Sequence, residues 1–303
     1  MKHLLKISDL TKEEILRIFS LTEDLKDKSA AGVREPLLPG RVMALIFEKP
    51  SLRTRVSFQA GMAHLGGSSM MLGEDVGFGK RERIDDFSRV LSEYVDVIVF
   101  RSKQHATVES VAENASCSVI NGLSELSHPC QALADLYTLR EKQGALEGVK
   151  LAWVGDANNV ARSLAVGCGR LGVEFSAATP PGYEFPAEFL AMLDQQCPGM
   201  KFSHSTDPRE AVAGAAAVYT DVWASMGQES EQELRRKIFR PYQVNRELMQ
   251  HAPEAWIMHC LPAHRGEEIT DEILDGERSI VFDQAENRLH VQKAVLERLI
   301  VPT

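Results

Sequence analysis

Short apolar runs alternate with amphipathic stretches along the whole chain. Near the start, Thr11 and Glu14 make a capping-box pattern, and Ile15, Leu16, Ile18, Phe19 and Leu21 follow at helical spacing. Apolar runs at 42–47, 70–72, 95–100 and 118–120 predict strands, with helices between them at 55–65, 84–93 and 108–114. The second half repeats the theme. Strands are predicted at 151–154, 174–177, 216–220, 256–258 and 280–282, and helices at 160–171, 187–195, 231–236 and from about Arg288 to Leu299.

Strand–helix alternation over the full length implies right-handed βαβ units and parallel sheets covered on both faces. The chain breaks most naturally at 143–148, a polar stretch with two glycines that follows the helical run 129–141. The expected fold class is therefore α/β, with two domains of similar size, each a mostly parallel sheet flanked by helices. Ligands of such sheets bind beyond the carboxyl ends of the strands. The loops after the strands are where chemistry should be sought.

Composition narrows the setting. The 303 residues carry a net charge of -9 with no Lys/Arg block, which argues against a nucleic-acid or anionic-membrane surface. Five cysteines, an odd number without C-x-x-C spacing, do not make a disulfide framework and fit a reducing compartment. Polar residues interrupt Met1-Lys-His-Leu-Leu-Lys6 before a signal-peptide stretch forms, and no segment approaches a membrane span. A cytoplasmic protein is expected.

Four loops hold candidate chemistry. Ser51-Leu-Arg-Thr-Arg55 follows a strand and opens a helix, where free N–H groups, the dipole, Arg53, Arg55 and the Thr54 hydroxyl would suit a phosphate. An ordinary cap with two solvated arginines fits equally well. Arg101 ends an apolar strand and means something only if the fold brings it beside that loop. His128 and Gln131, three apart at a helix start, could donate to a polarised carbonyl oxygen, or serve as a capping histidine and a surface glutamine. In His259-Cys-Leu-Pro-Ala-His264, metal binding by His259, Cys260 and His264 competes with a rigid turn that presents backbone carbonyls. Two further turns stand out. Asp221 and Ser225, in Thr220–Gly227, could grip an ammonium group, while Asn158 and Asn159 sit where a carboxylate could meet a helix N-terminus. The turn at Val154-Gly-Asp lacks two of the three glycines of a dinucleotide fingerprint.

Together these segments resemble the ornithine carbamoyltransferase family within the aspartate/ornithine transcarbamoylase group. Six motifs stand in family order: Ser51-Leu-Arg-Thr-Arg55, Arg101, His128-Pro-Cys-Gln131, Asp221…Ser225-Met-Gly227, His259-Cys-Leu-Pro262 and Ala285-Glu-Asn-Arg288. The resemblance implies a carbamoyl-phosphate domain (1–142), an ornithine domain (143–286) and a C-terminal helix (287–303) returning to the first. It implies that Ser51, the Leu52 N–H, Arg53, Thr54 and Arg101 hold phosphate. Thr54, Arg101 and His128 would face the carbamoyl oxygen. Gln131 and the Leu261 carbonyl would take its NH2, with Cys260 and Arg288 completing the pocket. Arg53, Thr54, Arg101, His128 and Cys260 are the expected catalytic set. Asn159 and the Met226 N–H would hold the ornithine carboxylate, and Asp221 and Ser225 its α-ammonium.

The implied reaction gives citrulline and phosphate, within arginine metabolism, with no cofactor and no metal. The implied assembly is a homotrimer or a multiple of it. The Ser-Met-Gly loop favours free ornithine over putrescine or an acylated ornithine; a nicotinamide-dependent dehydrogenase is the alternative from another class. Two departures stand out. Leu52 replaces a threonine usual in the family, and Gly77 replaces a polar residue, for which Lys80 is the nearest substitute.

Overall fold

Thr11 caps the first helix in the way its spacing predicts. Its hydroxyl accepts from the Glu14 N–H at 3.2 Å, and the Glu14 carboxylate accepts from the Thr11 N–H at 2.9 Å. The helix it opens, α1 (Lys12–Ala30), buries Ile15, Ile18, Phe19, Thr22 and Leu25 and turns Leu16 outward. The computed structural model describes residues 1–73, 76–79, 81–224 and 231–301.

The chain divides into two units, Met1–Ala134 with Asn287–Thr303, and Asp135–Glu286. In the first unit, β1 (Val42–Phe47), α2 (Leu52–His64), β2 (Ser68–Leu72), α3 (Ile84–Ser92), β3 (Val97–Arg101), α4 (His105–Asn114), β4 (Ser118–Leu123) and the start of α5 (Pro129–Gln143) follow one another. The strands pair in parallel in the order β2-β1-β3-β4. Central β3 reads Val-Ile-Val-Phe-Arg and is buried at every position, as a strand covered on both faces must be. Edge strand β2 keeps two serines and an exposed Met70. Leu4 adds one parallel bridge beside β4, donating to the Val119 carbonyl and accepting from Asn121 N–H.

The second unit holds β5 (Lys150–Val154), α6 (Asn159–Leu171), β6 (Glu174–Ala178), α7 (Ala187–Gln196), β7 (Phe202–Ser205), α8 (Pro208–Val212), β8 (Ala217–Thr220), α9 (Gln232–Phe239), α10 (Arg246–Met249), β9 (Trp256–His259), α11 (Asp271–Leu274) and the start of α12 (Val281–Ile300). Its parallel sheet runs β7-β6-β5-β8-β9. Gly169 lets α6 meet the end of α7 closely: a Cβ there would stand 2.7 Å from Cys197 Sγ.

Two expectations need correction. Residues 280–282 are not a strand: Ser279 makes a single bridge to Ile257, Ile280 donates to the Ile257 carbonyl, and the chain then enters α12 with Gln284 N–H bonding back to Ile280. Three apolar residues cannot separate a buried helix start from a strand. The last helix consequently begins seven residues ahead of Arg288. Strand β7, Phe-Ser-His-Ser, escapes the hydrophobic pattern because it is a polar, half-exposed edge. Among the described residues no helix is long and apolar enough to cross a membrane, and all five cysteines are free thiols.

Candidate active site

In each sheet the strand order reverses about one strand, opening a crevice at the carboxyl ends of that strand and its neighbour. In the first unit the strands are β1 and β3, whose ends lead to Ser51–Thr54 and carry Arg101. In the second they are β5 and β8, whose ends lead to Asn158–Asn159 and Asp221. Topology alone thus gathers residues that the sequence spaces widely.

The first half-site is built around the N-terminus of α2. Ser51 is the N-cap, its Oγ accepting from the Thr54 N–H at 3.3 Å and lying 3.0 Å from Thr54 Oγ1 in a second hydrogen bond. The N–H groups of Leu52 and Arg53 precede the helical ladder and lie at the positive end of the dipole. Thr54 is fully buried, and its hydroxyl accepts from Arg288 Nη2 at 2.6 Å and Arg101 Nη1 at 3.4 Å. Arg288 Nη1 also donates to Gln131 Oε1 at 3.0 Å. The β3–β4 register shifts between Phe100 and Arg101, a bulge of the kind that re-aims a side chain at a strand end.

His128 belongs to the same group. Burial, reinforced by the positive charges of Arg288 and Arg101, holds its imidazole well below the usual histidine range. It is therefore neutral at physiological pH and has one N–H to donate. Ser51, Thr54, Arg101, His128, Gln131 and Arg288 are thus brought together; Arg53, half-buried, occupies the same first turn of α2.

The second half-site centres on Asp221, which is nearly buried. One carboxylate oxygen accepts from Asn158 Nδ2 at 2.8 Å; the other accepts from the Cys260 thiol at 3.1 Å and its neighbour's N–H at 2.8 Å. Asn158 is the N-cap of α6, with Oδ1 accepting from the Val160 and Ala161 N–H groups, and Asn159 begins the helix proper. Ser225 and Met226, like Lys80, lie outside the described residues.

Leu261 has φ 55°, a conformation unfavourable for a branched side chain, and the Leu261–Pro262 peptide is cis. The Leu261 N–H donates to His259 Nδ1 at 2.8 Å, and His259 Nε2 pairs with Glu268 Oε1 at 3.0 Å. Since Nδ1 accepts, the ring proton sits on Nε2. Both nitrogens are occupied, so this arrangement orients the turn and leaves His259 no lone pair for a metal. His259, Cys260 and Asp221 nevertheless cluster, their ligand atoms within 4.8 Å of one another, whereas His264 groups with Glu267 and Glu268.

Sequence reasoning missed Arg235. It is nearly buried, with Nη1 donating to Asp156 Oδ2 (2.7 Å) and the Trp223 carbonyl (2.9 Å), Nε to Glu231 (3.0 Å), and its guanidinium 4.8 Å from the Tyr183 ring. It ties the loop after β5 to the loop after β8. Burial holds the Asp156 pKa above the usual carboxylate range, with the Arg235 hydrogen bond and charge opposing the shift. Nothing in Glu-Gln-Glu-Leu-Arg-Arg distinguishes Arg235 from its half-buried neighbour Arg236; only packing does.

These features define a class: a two-unit parallel α/β protein with a hydroxyl-and-guanidinium group at a helix N-terminus in one unit and a carboxylate–amide–thiol group in the other. Residues 2–141 match the model of the aspartate/ornithine carbamoyltransferase carbamoyl-P binding domain, and residues 147–299 that of the Asp/Orn binding domain. The chain belongs to the aspartate/ornithine carbamoyltransferase family. It is 51% identical over 303 residues to an ornithine carbamoyltransferase of Pyrococcus abyssi, covering 99% of this chain and 96% of that one. The solved ornithine carbamoyltransferase of Pyrococcus furiosus superposes with a TM-score of 0.95 at 50% identity, covering 99% and 97% of the two chains. The anabolic enzyme of Campylobacter jejuni superposes with a TM-score of 0.92 at 37% identity and 99% coverage of both.

Proposed function

We propose that the chain transfers the carbamoyl group of carbamoyl phosphate to the δ-amine of L-ornithine, giving L-citrulline and phosphate. The observation that carries this reading is the Thr54 hydroxyl, which receives both Arg101 and Arg288 at a helix N-terminus. Full-length relatives at about half identity bear the same activity in their names.

In this reading Ser51, Arg53, Thr54, Arg101 and the Leu52 N–H hold the phosphate. Arg101, His128 and Thr54 donate to the carbamoyl oxygen as it gains charge, and neutral His128 does so without acting as an acid. Gln131 and the Leu261 carbonyl take the carbamoyl NH2, and Cys260 and Arg288 are assigned to the same substrate. Asp221 and Ser225 hold the ornithine ammonium, and Asn159 and Met226 its carboxylate. The uncharged δ-amine then attacks the carbonyl carbon. The C–N bond forms, the C–O bond to phosphate breaks through a tetrahedral oxyanion, and the amine's surplus proton passes to the departing phosphate. Positioning and charge stabilisation supply the rate.

The reading extends to a cytoplasmic homotrimer. Exposed Leu52 (74%) and Val56 (51%) on α2, and Met70 (44%) on the edge strand β2, supply apolar surface that self-association would cover. The free thiols accord with a reducing compartment.

The test is an acceptor screen with carbamoyl phosphate and ornithine, putrescine or an acylated ornithine, scored by phosphate release. Ornithine-dependent release with citrulline formation is expected. Release that depends on another amine instead, or saturable nicotinamide dinucleotide binding, would overturn the assignment.

A further inference from the structure

The turn after β9 carries a second group of donors. A ring nitrogen of His264 and one carboxylate oxygen each of Glu267 and Glu268 lie within 4.8 Å of one another. Each carboxylate is anchored through one oxygen. Glu267 Oε1 accepts from Arg236 Nη2 at 2.6 Å and Nε at 3.0 Å, leaving Oε2 facing His264 Nδ1 at 3.9 Å. Glu268 Oε1 accepts from the His264 N–H at 2.6 Å and pairs with His259 Nε2 at 3.0 Å. Glu268 is fully buried, and its Oε2 has no hydrogen-bond partner among the described residues. Both partners of Oε1 are neutral, since the tautomer argued above leaves His259 uncharged. A buried carboxylate oxygen left this way is costly unless a cation meets it.

We propose that His264, Glu267 and Glu268 form a divalent-cation site, selective by its nitrogen and carboxylate donors for an ion such as Mn2+. One imidazole and two carboxylate oxygens supply three ligands, and water completes the shell, the donor set that intermediate and hard divalent ions favour over thiol-seeking ones. The partial exposure of the His264 (41%) and Glu267 (22%) side chains provides an entry path, while Glu268 is the buried member of the three. The cluster Asp221–His259–Cys260 is different in kind. Its carboxylate oxygens are occupied by Asn158, Val222 and the Cys260 thiol, and its imidazole by Leu261 and Glu268. An ion at the proposed site would fasten Glu268, and through His259 the turn that carries Leu261.

The experiment is titration of Mn2+ into the chelator-treated full chain, followed by calorimetry and by loss of the free-ion electron paramagnetic signal. One ion per chain is expected, with affinity weakened about tenfold or more in His264→Ala and in Glu267→Gln. Glu268→Gln should abolish binding, and the two more exposed variants keep the test valid if that protein does not fold. Cys260→Ser should bind as the parent does. Absence of saturable binding, equal affinity in the His264 and Glu267 variants, or loss in Cys260→Ser would each overturn the site. The readout is bound metal, so the result stands apart from the proposed transfer reaction.

Discussion

Arg288 Nη2 donates to the hydroxyl of Thr54 at 2.6 Å, joining positions 234 residues apart in the chain. The acceptor is neutral, as is the Gln131 oxygen on Nη1. These two bonds fix the direction of the guanidinium and do not themselves neutralise it.

Replacing Arg288 with Met is expected to lower kcat/KM for carbamoyl phosphate by about 10²–10³. Thr54→Val should lose a comparable amount, and Thr54→Ser should retain most activity because the hydroxyl remains. Steady-state kinetics at saturating ornithine decides the matter; equal activity in the Val and Ser variants would remove the hydroxyl's role.

Arg53→Ala and Arg101→Ala are each expected to lose orders of magnitude in turnover, since each removes a positive charge at the proposed phosphate site. Near-normal rates in either protein would take that arginine out of the proposed phosphate site. Thermal melting run alongside separates a lost contact from a lost fold.

Arg235→Ala should act on the acceptor side. The KM for ornithine is expected to rise while that for carbamoyl phosphate holds, because Arg235 joins the loops leading to Asn159 and Asp221. Arg235→Lys should rescue little, as one ammonium cannot reproduce the three-way fork. A parallel rise in both KM values would indicate general loosening instead.

Acid sensitivity follows from histidines kept neutral by the fold. Burial and the nearby Lys293 and Lys26 charges lower the His290 pKa from 6.5 to about 4, and His128 also lies well below 6.5. The unfolded chain binds protons that the folded chain refuses, so their stabilisation is complete above pH 6.5 and is lost as pH falls through that window. The slope approaches about 1.4 kcal/mol per pH unit for each histidine. Denaturation curves between about pH 4 and 7 should show this slope, and His290→Gln should flatten it by one proton's worth.

Much of this protein was legible in one dimension. Continuous apolar runs marked β1, β3, β5 and β8 because central parallel strands are buried on both faces and need no polar positions. The Thr11 and Ser51 caps were readable because capping is a local contact across three residues. Edge strand β7 was not, since a half-exposed strand tolerates serine and histidine, and Ile280–Val281 misled because two buried residues have no period.

The sequence by itself determined the α/β class and the Thr11 and Ser51 helix caps, and singled out the residues chemically able to meet an anion, all from neighbours within a few positions. Only the tertiary structure decided that Arg101 and Arg288 share the Thr54 hydroxyl, that Arg235 rather than Arg236 is buried, and that His259 clusters with Asp221 and Cys260 while His264 clusters with Glu267 and Glu268. The physical reason is range: capping and periodicity act along the chain, whereas strand order and burial bring together groups whose separation in sequence carries no signal.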